Sequence, residues 1–124
     1  MKSRIAVVED NPDNRMLVEA ILDDQYDIIE FETGKQAVEE LEAAKPDLVL
    51  LDISLPEMDG TEVLEWIRGQ ESLAGVPVIA LTAHAMAGDR EKYLDLGFDD
   101  YLTKPIADET VLKGAIERCL SQTS

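Results

Sequence analysis

The chain has 124 residues, of which 45% are apolar, and a formal net charge of −16. This length and apolar fraction are typical of one folded domain, so we expect a single domain over residues 1–124 and exclude a disordered chain. The excess of acid repels nucleic acids and anionic membrane surfaces, so neither is expected as a partner. The single cysteine, Cys119, rules out an internal disulfide and favours a reducing cytoplasm, with the thiol buried.

The start of the chain carries no targeting signal that we can identify. The apolar stretch at residues 5–8 is too short for a signal peptide core or a membrane span. We therefore expect a cytoplasmic protein. Because the sequence begins with Met1 and ends shortly after Cys119, we expect a complete single-domain protein, with a piece of a larger protein as the alternative.

The first half of the chain alternates short apolar runs with helical patterns. Its predicted elements are, in order, a strand at 5–8, a helix with Leu17, Ala20 and Ile21 on one face, a strand at 26–31, a helix with Ala37, Val38 and Leu41 on one face, and a strand at 48–51. The runs at 5–8 and 48–51 are continuous, which is typical of strands buried on both faces of a parallel sheet. The run at 26–31 is mixed in polarity, which favours a position nearer a sheet edge.

The second half continues the same alternation. Its predicted elements are a helix with Val63, Trp66 and Ile67 on one face, a continuous strand at 78–81, a mixed strand at 98–103, and a helix with Leu112, Ala115, Ile116 and Cys119 on one face. Asp108 is the expected N-cap of the last helix, and Gly34, Gly60 and Gly97 lie at element boundaries. Strand and helix thus alternate five times, which predicts an α/β fold with a parallel sheet covered by helices on both faces.

Polar residues of different chemistry follow four of the predicted strands: Glu9 and Asp10, then Asp52, Thr82 and Lys104. Ligands of such a sheet bind beyond the carboxyl ends of its strands, where these residues converge. Three neighbouring carboxylates repel one another unless a cation joins them, and Mg²⁺ prefers oxygen ligands. The lysine can balance further charge, and the threonine hydroxyl can donate a hydrogen bond. The set predicts phosphoryl transfer, with Asp52 as the nucleophile because carboxylates can form acyl phosphates.

Each of these residues also has a plainer interpretation when it is taken alone. Asp52 can be an ordinary strand-end acid, and Lys104 an ordinary surface lysine. Glu9 and Asp10 can be a charge pair favoured at the N-terminus of a helix. His84, the sole histidine, is expected to be an exposed loop residue or a partner contact rather than a metal ligand or base.

A family resemblance rests on four motifs, which are VEDN at 8–11, LDI with LPEMDG at 51–60, LTA at 81–83 and YLTKP at 101–105. With these motifs in this order and spacing, nearly the whole chain resembles the receiver domains of two-component signalling. The resemblance implies a flavodoxin-like (βα)5 fold. Its five-stranded parallel sheet has the order 2-1-3-4-5, with helices on both faces.

The resemblance also implies residue roles at the site. Asp52 is the phosphoacceptor, and Lys104 contacts the phosphoryl group. Glu9, Asp10 and Asp52 supply side-chain ligands to Mg²⁺, with Mn²⁺ as an alternative ion, and the backbone carbonyl of Ser54 supplies another. Many relatives have aspartate where this chain has Glu9, and glutamate is a common alternative.

Further roles concern switching and the lifetime of the phosphoryl group. Thr82 and Tyr101 form the implied switch pair, in which the hydroxyl moves toward the phosphoryl group and the ring turns inward; Tyr101 can otherwise be a packing residue. Ala83 leaves room for the phosphoryl group, and the bond into Pro105 is expected to be cis.

Ser54 and His84 occupy the two positions that tune dephosphorylation in the family. Neither is an acid or amide that would orient an attacking water, so we expect a longer-lived phosphoryl state. The segments around Asn14 and around His84 resemble two subsets in particular, the single-domain regulators and the receivers of hybrid histidine kinases.

The function implied is a signalling switch, not an enzyme beyond its own phosphotransfer and dephosphorylation. It accepts a phosphoryl group from a histidine kinase or histidine phosphotransfer protein and signals through protein–protein contacts. A receiver cut from a hybrid histidine kinase is one alternative. A phosphatase of the haloacid dehalogenase type is disfavoured, because Ser54 stands where those enzymes place a second aspartate and the chain is too short for a cap. A degenerate receiver is disfavoured because the phosphorylation residues are present.

Overall fold

A computed structural model describes residues 3–55, 58–82, 89–104 and 108–123 of the chain. Within these residues, strands and helices alternate in the order β1 (Arg4–Val8), α1 (Pro12–Leu22), β2 (Asp27–Phe31), α2 (Gly34–Ala44), β3 (Leu48–Asp52), α3 (Gly60–Gly69), β4 (Val78–Thr82), α4 (Asp89–Leu96), β5 (Asp100–Thr103) and α5 (Glu109–Thr123). The strands form one parallel sheet of order β2-β1-β3-β4-β5. The predicted α/β fold and strand order are confirmed.

The sheet separates two apolar clusters, because alternate residues of a strand point to opposite faces. One face of the sheet packs against α2, α3 and α4, and the other packs against α1 and α5. The central strands β1, β3 and β4 are buried on both faces, apart from Arg4. The mixed strands β2 and β5 lie at the two edges, as their polarity predicts.

The predicted helical faces are confirmed for α5 but not for α1. The four residues of the α5 pattern are all buried, namely Leu112, Ala115, Ile116 and Cys119. Thr110 N–H donates to the side chain of Asp108 at 2.9 Å, as expected of an N-cap. Among the described residues, no helix is long and apolar enough to cross a membrane.

In α1 the buried side chains are Val18 and Leu22, whereas Leu17 is 37% exposed and Ala20 is also exposed. The cap at Asn11 fixes where the helix begins, and packing against the sheet decides which of its faces is buried. The i, i+4 pair of Val18 and Leu22 covers the core and Ile21 packs against it partly buried, whereas Leu17 and Ala20 stay outside.

Two strands begin later than the sequence predicts. Tyr26 N–H donates to the carbonyl of Leu22, and Phe98 N–H donates to the carbonyl of Tyr93. These residues therefore complete the turns that end α1 and α4 and cannot pair with a strand there. Gly97, at a φ of 116°, provides the left-handed turn after α4.

The guanidinium of Arg68 ties α3 to two loops at the amino-terminal edge of the sheet. Its Nη1 donates to the carbonyls of Ala74 and Val76 at 3.0 and 2.6 Å. Its Nη2 donates to the carbonyl of Gly97 at 2.8 Å and to the carboxylate of Asp99 at 2.9 Å. One side chain thus fixes the chain ahead of both β4 and β5.

Candidate metal centre

Three carboxylates meet at the carboxyl edge of the sheet. Val8 of β1 pairs with Leu51 of β3, so the residues that follow them, Glu9 and Asp52, emerge side by side. Glu9, Asp10 and Asp52 each place a carboxylate oxygen within 4.8 Å of the others. Glu9 and Asp52 are only 1% exposed, whereas Asp10 is exposed. The convergence expected from the strand ends is therefore present for all three acids.

Lys104 directly follows β5, an edge strand, and its side chain extends to this cluster. Its Nζ donates to Asp52 Oδ2 at 2.8 Å and to Glu9 Oε1 and Oε2 at 3.1 and 3.4 Å. Its backbone N–H donates to the carbonyl of Thr82 at 2.7 Å, which extends the β4–β5 pairing. The Lys104 side chain is 13% exposed, so it is an internal partner of the two buried carboxylates rather than a surface lysine.

The backbone around Asp52 is packed tightly against the start of α3. Ser54 N–H donates to Asp52 Oδ1 at 2.8 Å, which fixes the carboxylate from the side opposite Lys104. A Cβ on Gly60 would lie 2.4 Å from the carbonyl oxygen of Asp52 and 2.5 Å from Cα of Ile53. Only glycine fits there, and its lack of a side chain allows the end of β3 to lie close to the start of α3.

The site carries more negative charge than its lysine balances. Burial raises the pKa of Glu9 to about 7, and the neighbouring Asp52 adds to this effect. Burial also acts to raise the pKa of Asp52, but hydrogen bonds with Glu9, Lys104 and Ser54 outweigh it and hold that pKa below its usual value. Burial lowers the pKa of Lys104, and its bonds to Asp52 and Glu9 outweigh this and raise it. Of the two buried carboxylates, Glu9 and Asp52, it is therefore Glu9 that retains a proton more readily.

This donor set fits a hard divalent cation. Three ionised carboxylates and one ammonium leave a formal charge of −2. The ligand atoms are all oxygens, and exposed Asp10 leaves the cluster open to water on one side. Mg²⁺ favours one or a few carboxylates and retains several waters, so the chemistry of the donors matches this ion.

The predicted switch residues lie on the neighbouring strands. Thr82 is the last residue of β4 and is 3% exposed. Tyr101 of β5 pairs with Ala80, two residues before Thr82, so both side chains belong to the same face of the sheet. The Tyr101 ring is partly buried and lies 5.9 Å from the ring of Tyr93 on α4.

Several other predicted features lie outside these contacts. Ser54 is exposed and contacts Asp52 through its N–H; its carbonyl as a metal ligand stays a prediction. Ala83, His84 and Pro105 lie outside the described residues.

The sequence reasoning missed two residues that hold Glu9. Asn14 Nδ2 donates to Glu9 Oε1 at 2.7 Å, and Arg15 Nη1 donates to the Glu9 carbonyl at 2.8 Å. Both residues lie in the first turn of α1, directly after the strand end. The signal was a helix start at Pro12, capped by Asn11, which turns the first-turn side chains back toward β1.

Comparison with known proteins identifies the class. The sequence matches the model of the response regulator receiver domain over residues 5–117, and the chain belongs to this family. It is 45% identical over 106 residues to the signal transduction histidine-protein kinase BarA of Escherichia coli, which is 85% of this chain and 12% of BarA. The chain thus spans about an eighth of that relative.

Two further relatives match over most of both chains. The polar-differentiation response regulator DivK of Brucella abortus is 39% identical over 108 residues, which are 86% of this chain and 88% of DivK. The receiver domain of the sensor histidine kinase PA1611 of Pseudomonas aeruginosa is 39% identical, with a TM-score of 0.87 over 98% of this chain and 99% of that one. That structure holds a magnesium ion coordinated in its active-site cleft.

The chain is therefore a receiver domain of two-component signalling. Receiver domains are signalling domains rather than classical enzymes, and they interact with histidine kinases or phosphotransfer proteins. Membership of this family favours the switch over the phosphatase of the haloacid dehalogenase type.

Proposed function

We propose that this receiver domain is phosphorylated on Asp52 and that Glu9, Asp10, Asp52 and the carbonyl of Ser54 hold Mg²⁺, or Mn²⁺ in its place. The observation that carries the proposal is the convergence on one buried carboxylate. Asp52 has the Lys104 ammonium at 2.8 Å and two further acids within 4.8 Å.

The step itself is a transfer between two nucleophiles. A carboxylate oxygen of Asp52 attacks phosphorus, the P–N bond of a phosphohistidine donor breaks, and its electron pair stays with the imidazole. The lowered pKa of Asp52 keeps the carboxylate ionised for attack. Lys104 Nζ now contacts Asp52 Oδ2, and it would follow the negative charge onto a phosphoryl oxygen as the new bond forms.

The metal ligands and the hydroxyl complete the site. Mg²⁺, when bound, supplies positive charge next to the oxygens of the transferring phosphoryl group. Glu9 and Asp10 hold that charge in place, because both follow a strand fixed on two sides by β2 and β3. The Thr82 hydroxyl, at the end of β4, moves toward the phosphoryl group and donates a hydrogen bond to it. The Tyr101 ring then turns inward, and this pair of movements is the switch.

The output we propose is a changed protein–protein contact surface. A histidine kinase or histidine phosphotransfer protein in the cytoplasm is the proposed donor, and phosphotransfer and dephosphorylation of the domain itself are its only chemistry. Because Ser54 and His84 supply no acid or amide to orient water, the phosphoryl group is expected to be long-lived. A half-life of seconds in the purified protein would contradict that expectation.

The test is labelling of the purified chain with acetyl phosphate and Mg²⁺, followed by profiling against purified phosphohistidine donors. We expect one phosphoryl group per chain by intact mass, lost in Asp52→Asn and in the presence of EDTA. Asp24→Asn is the matched control, because Asp24 is an exposed aspartate beyond the end of α1.

Two results would overturn the proposal. One is a wild-type chain that no donor labels. The other is a chain in which Asp52→Asn and Asp24→Asn are labelled equally, which would place the phosphoryl group on another residue.

A further inference from the structure

The carboxylate of Glu9 is held from two directions. Asn14 Nδ2 donates to Oε1 at 2.7 Å, and Lys104 Nζ contacts the same oxygen at 3.1 Å. The second oxygen, Oε2, has a longer contact with Lys104, at 3.4 Å. A glutamate side chain has several rotatable bonds, so two donors on one oxygen restrict its orientation much more than Lys104 alone.

The position of Asn14 is itself fixed by the start of α1. Asn11 Oδ1 accepts from the N–H groups of Asp13 and Asn14 at 2.8 and 3.4 Å, and Pro12 is the first helical residue. The next residue, Arg15, donates to the Glu9 carbonyl at 2.8 Å. The first turn of α1 therefore contacts both the backbone and the side chain of Glu9.

Arg15 is anchored in turn by the neighbouring strand. Its guanidinium lies 3.7 Å from Glu30 of β2 and 3.5 Å from Glu32, which follows that strand. These ion pairs connect the α1 start to the sheet edge. These contacts position the first turn of α1 beside Glu9.

We infer that Asn14 is a positioning residue for the metal: its amide fixes Oε1 of Glu9 and so restricts the orientation of the carboxylate that would bind the ion. This inference rests on the proposed function, because it presumes that Glu9 is a metal ligand. Groups that orient a ligand through its second atom typically change metal affinity by about 10- to 100-fold when they are removed. Asn14 itself makes no contact with the ion in this scheme.

The test measures metal binding without phosphorylation. Asn14→Leu keeps the approximate size of the side chain and removes the amide, and leucine is the better helix former, so α1 is retained. Free Mn²⁺ is followed by electron paramagnetic resonance, and Mg²⁺ is measured by its competition with Mn²⁺. We expect the Kd for both ions to rise roughly tenfold or more, with no fall in the unfolding midpoint in EDTA.

A matched control and a second variant keep the test decisive. Gln25→Leu makes the same amide-to-leucine change on an exposed residue beyond the other end of α1, and it should bind as the wild type does. If Asn14→Leu unfolds, Asn14→Ala replaces it. With acetyl phosphate, the half-saturating Mg²⁺ concentration should rise while the rate at saturating Mg²⁺ stays the same.

The outcomes separate the inference from the proposed function. If the wild type binds neither ion, the metal site itself fails. If the wild type binds and the folded Asn14 variants bind with a Kd within about threefold of it, below the usual effect of such groups, only the inference fails. A lower rate at saturating Mg²⁺ with an unchanged half-saturating concentration would also overturn it, since that pattern indicates a role in the transfer step.

Discussion

Replacing Glu9 by glutamine removes one charge from the three-carboxylate cluster and keeps the length of the side chain. The glutamine oxygen can still accept from Asn14 and Lys104, so the packing of the site is preserved. What changes is the cost of burying an ionised carboxylate, together with its repulsion from the neighbouring Asp52. We therefore expect Glu9→Gln to stabilise the metal-free protein while it weakens the site for Mg²⁺.

The magnitude follows from the protonation of Glu9. A pKa of about 7, against an ordinary 4.5, corresponds to about 3 kcal/mol of unfavourable free energy when the group is ionised in the folded state. The lowered pKa of Asp52 means that the ionised form of this neighbour is stabilised in the folded state, which offsets part of that unfavourable free energy. The net gain expected for Glu9→Gln at about pH 8 is therefore roughly 1–3 kcal/mol.

The pH dependence has a definite sign. Because the pKa of Glu9 is higher in the folded than in the unfolded state, its contribution to stability is full below pH 4.5 and is lost as the pH rises through about 7. The wild type should therefore gain stability, relative to Glu9→Gln, as the pH falls across this range. The advantage of the variant should disappear near the lower end.

The assay is urea unfolding in EDTA at a series of pH values, repeated with Mg²⁺. Glu39→Gln, an exposed change on α2, serves as the control for removal of a carboxylate and should leave the pH profile unchanged. Bound Mg²⁺ should stabilise the wild type far more than Glu9→Gln, because a ligand of the folded state adds to stability according to its affinity. A Glu9→Gln protein that is no more stable than the wild type at about pH 8 would refute the reasoning.

Three further predictions concern other parts of the fold. Gly60→Ala should destabilise the protein by roughly 1–3 kcal/mol or more and weaken Mg²⁺ binding, because the added methyl group displaces the backbone of Asp52 and Ile53. Denaturation measures the first effect and Mn²⁺ titration the second. Unchanged values would contradict the close approach of Gly60 to that backbone. Arg68→Met should destabilise the folded protein by roughly 2 kcal/mol, because it removes four hydrogen bonds. Metal affinity should be unchanged, since these bonds lie at the amino-terminal edge of the sheet, opposite the site. A changed Kd for Mn²⁺ would contradict this. Burial raises the pKa of Cys119 to about 11, so a thiol reagent at about pH 8 should modify it only in the unfolded chain; rapid modification under native conditions would show that α5 opens.

The strands and the acidic cluster were accessible to sequence reasoning for a simple physical reason. Continuous apolar runs such as that of β3 indicate strands buried on both faces, and parallel strands bring their carboxyl ends to one edge. Asp52 and Lys104 could therefore be placed together without any knowledge of the intervening structure. Their contact at 2.8 Å confirms that reasoning.

What the sequence could not indicate depends on the rotation of individual helices and on local turns. The α1 face was misjudged because Leu17 and Val18 are equally apolar, and only the sheet decides which of them is buried. The contact of Asn14 with Glu9 depends on the same rotation. Protonation of Glu9 depends on its burial together with its distance from Asp52, and neither quantity is visible in a string of residues.

The ion pair between Lys104 and Glu9 joins residues 95 positions apart, and it has a consequence for how the site assembles. A contact of such long range forms only when the intervening chain has closed, so the cluster of Glu9, Asp52 and Lys104 assembles only after β5 has joined the sheet. A fragment that ends before β5 retains Asp52 and lacks its ammonium partner. Under the proposed function, phosphorylation of Asp52 with its ammonium partner therefore requires a domain folded through β5.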